Sequence, residues 1–416
     1  MWCPALKCKT IISPNDMCKK TVCELFAGVG GFRLGLEHSS KDWTTVWFSQ
    51  WEPGKKNQWA HDCYVKHFGD IDEYTGIDIS LVDKAHIPEH NLLVGGFPCQ
   101  DYSVAHSLNG EKGIEGKKGV LWWQIRDTLI AKNTPFVLLE NVDRLLKSPS
   151  KQRGRDFGII LACFAQLGYS VEWRVINAAD YGAAQRRRRT FIFAYSDKTN
   201  YAKKVSSDDF ADVVAHKGFF ASAFPALLED AGKLCDFDFS DVQKVSDSFE
   251  FSFKNAGFMR GGKIYTADVT SVSENPIPLK NLIEQDVDEG FYITKSLEKF
   301  KYLKGAKKIE RTAKTGFKYT FSEGPVAFPD SLELPARTML TSEATVNRST
   351  HVIKDPQTNR LRLITPVEAE RIQGFEDDWT NTGMPQKFRY FCMGNALVVP
   401  MVTRMGNVLN GIFDSE

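Results

Sequence analysis

Short apolar runs separated by helix-length segments dominate the first half of the chain. Residues 21–36, TVCELFAGVGGFRLGL, predict a strand, a glycine turn and the start of a helix. VWFSQW (46–51) predicts a second strand, followed by a polar helical stretch up to Phe68. NLLVGGF (91–97), FVLLENV (136–142) and TFIFAY (190–195) repeat the strand pattern, with helices predicted over 121–132 and 154–167. Parallel strands need crossovers, and crossover helices cover both sheet faces, so alternation of this kind predicts an α/β fold with a doubly wound, mostly parallel sheet. From about residue 199 the texture changes to Asp/Ser/Lys-rich segments, short Phe-rich runs and Gly/Pro punctuation (GFMRGGK, ENPIP, SEGPVAFPD), which predicts a second, smaller domain of irregular strands and loops. Helical patterning returns at 365–375 and 395–412. The expected division is 1–198, then 199–385 with its most irregular part at 199–334, then 386–416 completing the first domain.

Charge changes this picture only locally. The formal net charge of the 416 residues is +1, so the molecule as a whole does not announce a polyanionic partner. Yet Arg186 to Arg189 stand in a row, and Lys301, Lys304, Lys307, Lys308, Arg311, Lys314 and Lys318 face a single acid, Glu310, in their interval. Two such clusters in a neutral chain favour phosphate contact over plain solvated faces. The nine cysteines are scattered and odd in number, as in a reduced cytosolic protein. Cys3, Cys8, Cys18 and Cys23 form two CxxxxC pairs, but Cys23 falls in an apolar strand and no histidine follows at ligand spacing, so no metal is expected. The opening MWCPALKCKT lacks the apolar stretch expected of a secretory signal, and with no apolar run of the roughly 18 residues a span needs, no membrane span is expected.

The chemistry gathers at strand ends. FAGVGG (26–31) follows a strand as do the glycine turns that let a backbone approach a nucleotide-like ligand, and it is no P-loop, since no Gly-Lys-Ser/Thr follows. The next strand ends SQWEP, offering Gln50 and Glu52 to a ribose diol, and Asp78 in IDIS (77–80) is placed to accept from an adenine amino group. In GGFPCQDYSVA (95–105), Pro98 stiffens the backbone before Cys99, and the polar residues that follow imply an exposed, thiolate-forming cysteine at the ligand-binding edge of the sheet. The Gly- and Lys-rich 106–119 segment predicts a loop that closes over a phosphate backbone. Glu140 and Asn141 end an apolar strand, where a carboxylate must find a partner or face a pocket. Arg187 and Arg189 share a face if the strand begins there, and four neighbouring cations call for phosphate or carboxylates nearby.

The order and form of these motifs resemble those of the bacterial DNA (cytosine-5)-methyltransferases of restriction–modification systems. RLRLITPVEAERIQGFEDDW (360–379) and MGNALVVPMV (393–402) match that family's closing blocks, so the resemblance covers 21–195 and 335–412. It implies the S-adenosylmethionine-dependent methyltransferase fold. Phe26, Gly28, Gly30, Trp51, Asp78, Ile79, Pro98, Leu121 and Asn395 would then surround S-adenosylmethionine, with Gln50 standing where the family has Glu, so that Gln50 or Glu52 holds the ribose. Cys99 would be the nucleophile and Glu140 the proton partner at N3 of cytosine. Asn141 would brace the loop holding the cysteine, Arg187 and Arg189 would orient the base, and Glu368 and Arg371 would be structural. The implied chemistry is addition of the thiolate to C6 of a flipped-out cytosine, methylation at C5, loss of the C5 proton and release of the thiolate. Glu140 can also accept from the cytosine N4 amino group, which uracil lacks.

Residues 199–334 would be the variable part of a target-recognition domain, with Lys304, Lys307, Lys308 and Arg311 on phosphates, Ser103 also on DNA, and Arg260 of GFMRGGK at a guanine edge. The implied partner is double-stranded DNA, bound by a monomer at the nucleoid of a bacterial cytoplasm, with any cognate endonuclease acting separately. Three rivals fit less well. A tRNA cytosine methyltransferase of this family carries a Cys-Phe-Thr signature that is absent here, and a non-catalytic relative would lack Cys99 or Glu140. A nicotinamide-dependent oxidoreductase needs neither the Pro-Cys-Gln nor the Glu-Asn-Val strand end.

Overall fold

The computed structural model describes residues 19–97, 120–312 and 316–416. Six strands build the centre of the molecule: β1 (Thr21–Leu25), β2 (Thr44–Ser49), β3 (Leu92–Gly96), β4 (Phe136–Val142), β5 (Tyr169–Asn177) and β6 (Arg188–Ser196). Between them lie α1 (Gly31–Ser39), α2 (Trp59–Phe68), α3 (Val120–Lys132) and α4 (Arg155–Gln166). β2, β1, β3 and β4 pair in parallel, and β6 inserts antiparallel between β4 and β5. Successive side chains enter opposite layers, as strand geometry requires. Val22, Leu92, Val94, Phe136 and Leu138 join a core with Phe32 and Leu36 of α1. Cys23, Leu25, Leu93, Val137 and Leu139 join another with Ile125 of α3 and Phe157 and Ile160 of α4. Burial on both faces explains why these strands read as continuous apolar runs.

β5 escaped the hydrophobic pattern because Glu172 and Arg174 interrupt it, yet both are buried. The segment between residues 200 and 224 supplies partners for them: Glu172 accepts from Tyr201 Oη (3.2 Å), and Arg174 donates to the Phe224 carbonyl (2.8 Å). Five further strands follow, β7 (Ala226–Leu228), β8 (Lys233–Asp236), β9 (Ala256–Arg260), β10 (Lys263–Ala267) and β11 (Val269–Ser271). β7 pairs with β11, whereas β9, β10 and β8 extend the central sheet to the order β2-β1-β3-β4-β6-β5-β9-β10-β8. The change of texture at residue 199 therefore does not mark the end of the sheet.

Beyond it come α5 (Leu297–Lys304), a separate ribbon of β12 (Lys307–Thr312) and β13 (Lys318–Glu323), and the hairpin of β14 (Val352–Lys354) and β15 (Leu361–Leu363). The chain closes with α6 (Pro366–Gln373), α7 (Gln386–Asn395) and α8 (Val399–Phe413). α6 starts on a capping box, Thr365 with Glu368, and has Pro366 in its first turn. Glu368 also pairs with buried Arg362 (2.7 Å) and accepts from Glu284 N–H (2.8 Å), while Arg371 donates to the Leu282 carbonyl (2.9 Å), so both tie the helix to the preceding segment. α8 packs beside α1 through Val402 and Leu36 in the first core. Among the described residues no single helix is long and apolar enough to cross a membrane.

Candidate active site

The C-terminal ends of β3 and β4 lie side by side, with Gly96 paired to Glu140. At Gly95 a Cβ would come 2.8 Å from the Leu25 carbonyl, so the strand needs glycine to pass this closely. One residue beyond Glu140, buried Asn141 donates its amide to the Phe97 carbonyl (2.7 Å) and accepts from Val142 N–H (2.8 Å). The Phe97 backbone is thereby fixed two residues before Cys99. Pro98, Cys99, Ser103 and the 106–119 segment themselves lie outside the described residues, as do Cys3, Cys8 and Cys18.

The arginine run finds carboxylates, as its charge requires. Arg189 forms an ion pair with Glu140 (Nε–Oε1 2.7 Å), both largely shielded from solvent, and exposed Arg188 lies 3.6 Å from Asp143. Arg187 is buried and donates to the carbonyls of Met339 and Gly394, each at 3.0 Å. Burial pushes its guanidinium down to about 9, Arg189 adds to the effect, and Glu140 opposes it. Arg187 thus joins the start of β6 to the return segment at 339 and to the end of α7. Sequence reasoning missed this anchoring role, because its acceptors are backbone carbonyls more than 150 positions away. Gln185 was missed likewise: it is buried and accepts from Met339 N–H (3.2 Å).

On the other side of β3, the glycine turn docks on the end of β2. Phe26, Gly28 and Gly30 all have positive φ (57°, 58° and 89°). Gly28 N–H donates to Gln50 Oε1 (2.7 Å), and the space a Cβ would take at Gly28 is open. Gln50 N–H donates to the Thr75 carbonyl (2.9 Å), which brings the segment of Asp78 and Ile79 past the strand end. Asp78 caps the next turn through Ser80 N–H (2.9 Å), while Phe26 and Leu121 are half-buried against the core layer that contains Ile79. Trp51 is 38% exposed, an apolar side chain left open to solvent just past the strand end. Beside it one carboxylate oxygen of Glu52 is buried without a hydrogen-bond partner, and burial raises that acid's pKa. Asn395 is exposed at the end of α7, next to the Gly394 carbonyl that Arg187 holds. The structure therefore gathers Phe26, Gly28, Gln50, Trp51, Glu52, Asp78 and Ile79 around one edge of the sheet. Glu140, Asn141, Arg187 and Arg189 occupy the adjoining edge.

Two of the expected DNA contacts are corrected. Arg260 donates to the Val205 carbonyl (2.8 Å) and stacks on Phe210 (4.8 Å to the ring centre). Met259 lies level with Val171 and, through Ala194, with Val137. Arg260 thus falls at the N-terminal end of β4, roughly 13 Å along the strand direction from Glu140. Lys304 is buried, donates to the Thr350 carbonyl (2.5 Å) and lies 3.7 Å from Asp330, so it anchors the chain and cannot meet a phosphate. Lys307 is half-buried and donates to the Leu303 carbonyl (3.1 Å), whereas Lys308 and Arg311 are exposed on the ribbon. Among the described residues no cluster of His, Cys, Asp or Glu could hold a metal.

A solved methyltransferase from Entamoeba histolytica, EhMeth, shares the fold with a TM-score of 0.57 at 17% identity, covering 95% of this chain and 98% of that one. At that identity the likeness shows the fold alone, a methyltransferase fold. Residues 20–410 match the family described as C-5 cytosine-specific DNA methylase, and the chain belongs to this family of DNA cytosine-5 methyltransferases. It is 52% identical over 404 residues to the Type II methyltransferase M.Sau3AI of Staphylococcus aureus, spanning 95% of this chain and 97% of that protein. It is 39% identical over 178 residues to M.NgoBI of Neisseria gonorrhoeae, covering 43% and 51%. Neither the RNA-modifying nor the non-catalytic alternative is favoured by these relatives.

Proposed function

We propose that Cys99 adds to C6 of a cytosine swung out of duplex DNA, with Glu140 as its partner at N3. The observation that carries this reading is the Asn141 amide on the Phe97 carbonyl (2.7 Å), which links the backbone before Cys99 to the strand that presents Glu140. Glu140 lies beside N3 and the N4 amino group in this scheme: it holds the proton at N3 as the S–C6 bond forms and accepts from N4. Arg189, at 2.7 Å from that carboxyl, orients it, and Arg187 steadies the site by joining the start of β6 to the Met339 and Gly394 carbonyls. Once C5 carries the methyl group, a base such as water takes the C5 proton, and the thiolate leaves C6.

The chemistry of the cofactor-side residues fits S-adenosylmethionine, which when bound supplies the methyl group as a sulfonium. Trp51 offers a ring face to adenine, Asp78 an acceptor to its amino group, and the open space at Gly28 would admit the methionine portion beside the sulfonium. Either Gln50, whose oxygen is engaged by Gly28, or Glu52, whose buried oxygen lacks a partner, meets the ribose. Phe26, Gly30, Ile79, Leu121 and Asn395 complete the walls, with Pro98 next to the nucleophile. In this reading 1–198 and 386–416 carry catalysis and 199–385 target recognition, with the strands at 233–267 serving the scaffold. The protein works as a monomer on double-stranded DNA at the nucleoid, and any cognate endonuclease acts separately. Expression in a host without cytosine methylation, followed by genome-wide mapping of 5-methylcytosine, tests the reading. Methylation confined to one short sequence is expected, and an unmodified genome with folded protein present contradicts it.

A further inference from the structure

Among the described residues β12 and β13 pair only with each other, so this ribbon is a sheet of two. Its side chains alternate between two faces. One face is engaged at its root, while Arg311 and Tyr319 further along it are exposed. Lys307 lies over the Tyr302 ring (4.8 Å), Arg311 over the Phe321 ring (3.9 Å), and Glu323 is 3.5 Å from Arg348. The other face carries Lys308, Glu310 and Thr312 opposite Ser322, Thr320 and Lys318. All six are exposed, and among the described residues their side chains have no partner.

A lone two-stranded hairpin is marginal in water, so its root must be held by something else. Arg348 does this from both sides: it donates to the carbonyls of Leu303 (2.9 Å) and Gly305 (3.2 Å) before β12 and to that of Gly324 after β13. Beneath it Arg337 pairs with Asp330, which also accepts from Val352 N–H (2.9 Å). After the ribbon the chain returns to the catalytic edge, where Ala336 bridges to Gln185 and Thr338 donates to the Arg186 carbonyl (2.5 Å). The ribbon is therefore anchored to the site and offers one free polar face.

We infer that this face, Lys308, Glu310, Thr312, Lys318, Thr320 and Ser322, reads base edges in the major groove of the DNA. The inference rests on the proposed function and says where sequence is read. A two-stranded ribbon fits the major groove. Charge decides between reading bases and gripping phosphates. A surface built for phosphate alone has no use for an acid at its centre, and Glu310 stands there, cross-strand from Thr320. A carboxylate is repelled by phosphate but accepts well from the N4 amino group of a paired cytosine. Lys308 and Lys318, at opposite ends, suit guanine acceptors or the flanking backbone, and the three hydroxyls serve as donors or acceptors.

The full-length protein is expressed in a host without cytosine methylation as wild type, Glu310→Gln, Thr320→Val and Lys308→Gln, and 5-methylcytosine is mapped at base resolution. Calorimetric titration with S-adenosylmethionine checks that each variant is folded. Glu310→Gln and Thr320→Val are expected to keep cofactor affinity while preference at one or two positions of the recognised sequence falls about tenfold or more, the loss of a single base contact. The inference is overturned if both variants keep the wild-type site preference, whether methylation is unchanged or binding to all sequences weakens alike with a shallower salt dependence. A wild type that deposits no 5-methylcytosine refutes the proposed function and this inference with it.

Discussion

Asn141→Ala separates positioning of the nucleophile from binding. Asn141 is buried, and its amide bridges β4 to the Phe97 carbonyl at 2.7 Å while its oxygen takes Val142 N–H at 2.8 Å. Truncation leaves a buried carbonyl and a half-buried N–H without this side-chain partner, a loss of about 1–3 kcal/mol for each group that water cannot reach. The kinetic effect is larger in proportion. Phe97 is two residues from Cys99, and a displacement of about 1 Å at a reacting atom costs on the order of 100-fold in rate. Asn141→Asp is the sharper variant. It keeps the shape and the acceptor for Val142 but sets a carboxylate oxygen against the Phe97 carbonyl, so it should be slower than the alanine variant despite being isosteric. Single-turnover methyl transfer with saturating DNA and S-adenosylmethionine gives the chemical step, and calorimetry gives cofactor affinity. The expected result is a step slowed roughly 100-fold or more with cofactor affinity within a factor of about three. An alanine variant with the wild-type single-turnover rate, or an aspartate variant faster than alanine, would refute the reasoning.

Other consequences can be checked independently. Gln50→Ala removes the acceptor for Gly28 N–H and should weaken S-adenosylmethionine binding by roughly 1–3 kcal/mol in calorimetry; unchanged affinity in this variant and in Glu52→Ala would mean that the end of β2 does not face the ribose. Arg260→Ala should lower stability in urea unfolding, through loss of the bond to the Val205 carbonyl, and leave the methylated sequence unaltered; a changed sequence would restore Arg260 as a reader. Burial pulls the Lys304 ammonium from its usual 10.5 to about 8. The unfolded chain therefore holds that proton to higher pH than the folded one, and stability should rise between about pH 8 and pH 10.5. Lys304→Met should flatten this rise, and equal slopes in the two proteins would show that the amine is not desolvated.

The strands and most of the site could be read from sequence because both depend on local pattern. FVLLENV spans β4 end to end, since a strand buried on both faces has to be continuously apolar. The strand-end positions of Gln50, Glu140 and Asn141 followed from where those runs stop. β5 was hidden because Glu172 and Arg174 find partners more than 25 residues away, which no window along the chain reveals. The same blindness misplaced Arg260 and Lys304. A cation in a glycine-rich or basic stretch looks like a ligand for a base edge or a phosphate until the carbonyl it serves, Val205 or Thr350, is known. Lys308 carries the same charge in the same run and is free, a difference set by strand alternation and by the Arg348 clamp.

The central claim is that the thiol of Cys99 attacks C6 of the target cytosine. The protein is incubated with S-adenosylmethionine and duplex DNA carrying 5-fluorocytosine at the methylated position, and the denatured mixture is digested and mapped by mass spectrometry. Fluorine cannot leave C5 as a proton would, so the adduct should persist after denaturation, with the nucleotide on the peptide that contains Cys99, and Cys99→Ser should give none. An adduct on another residue, or one that forms equally well with Cys99→Ser, would contradict the assignment.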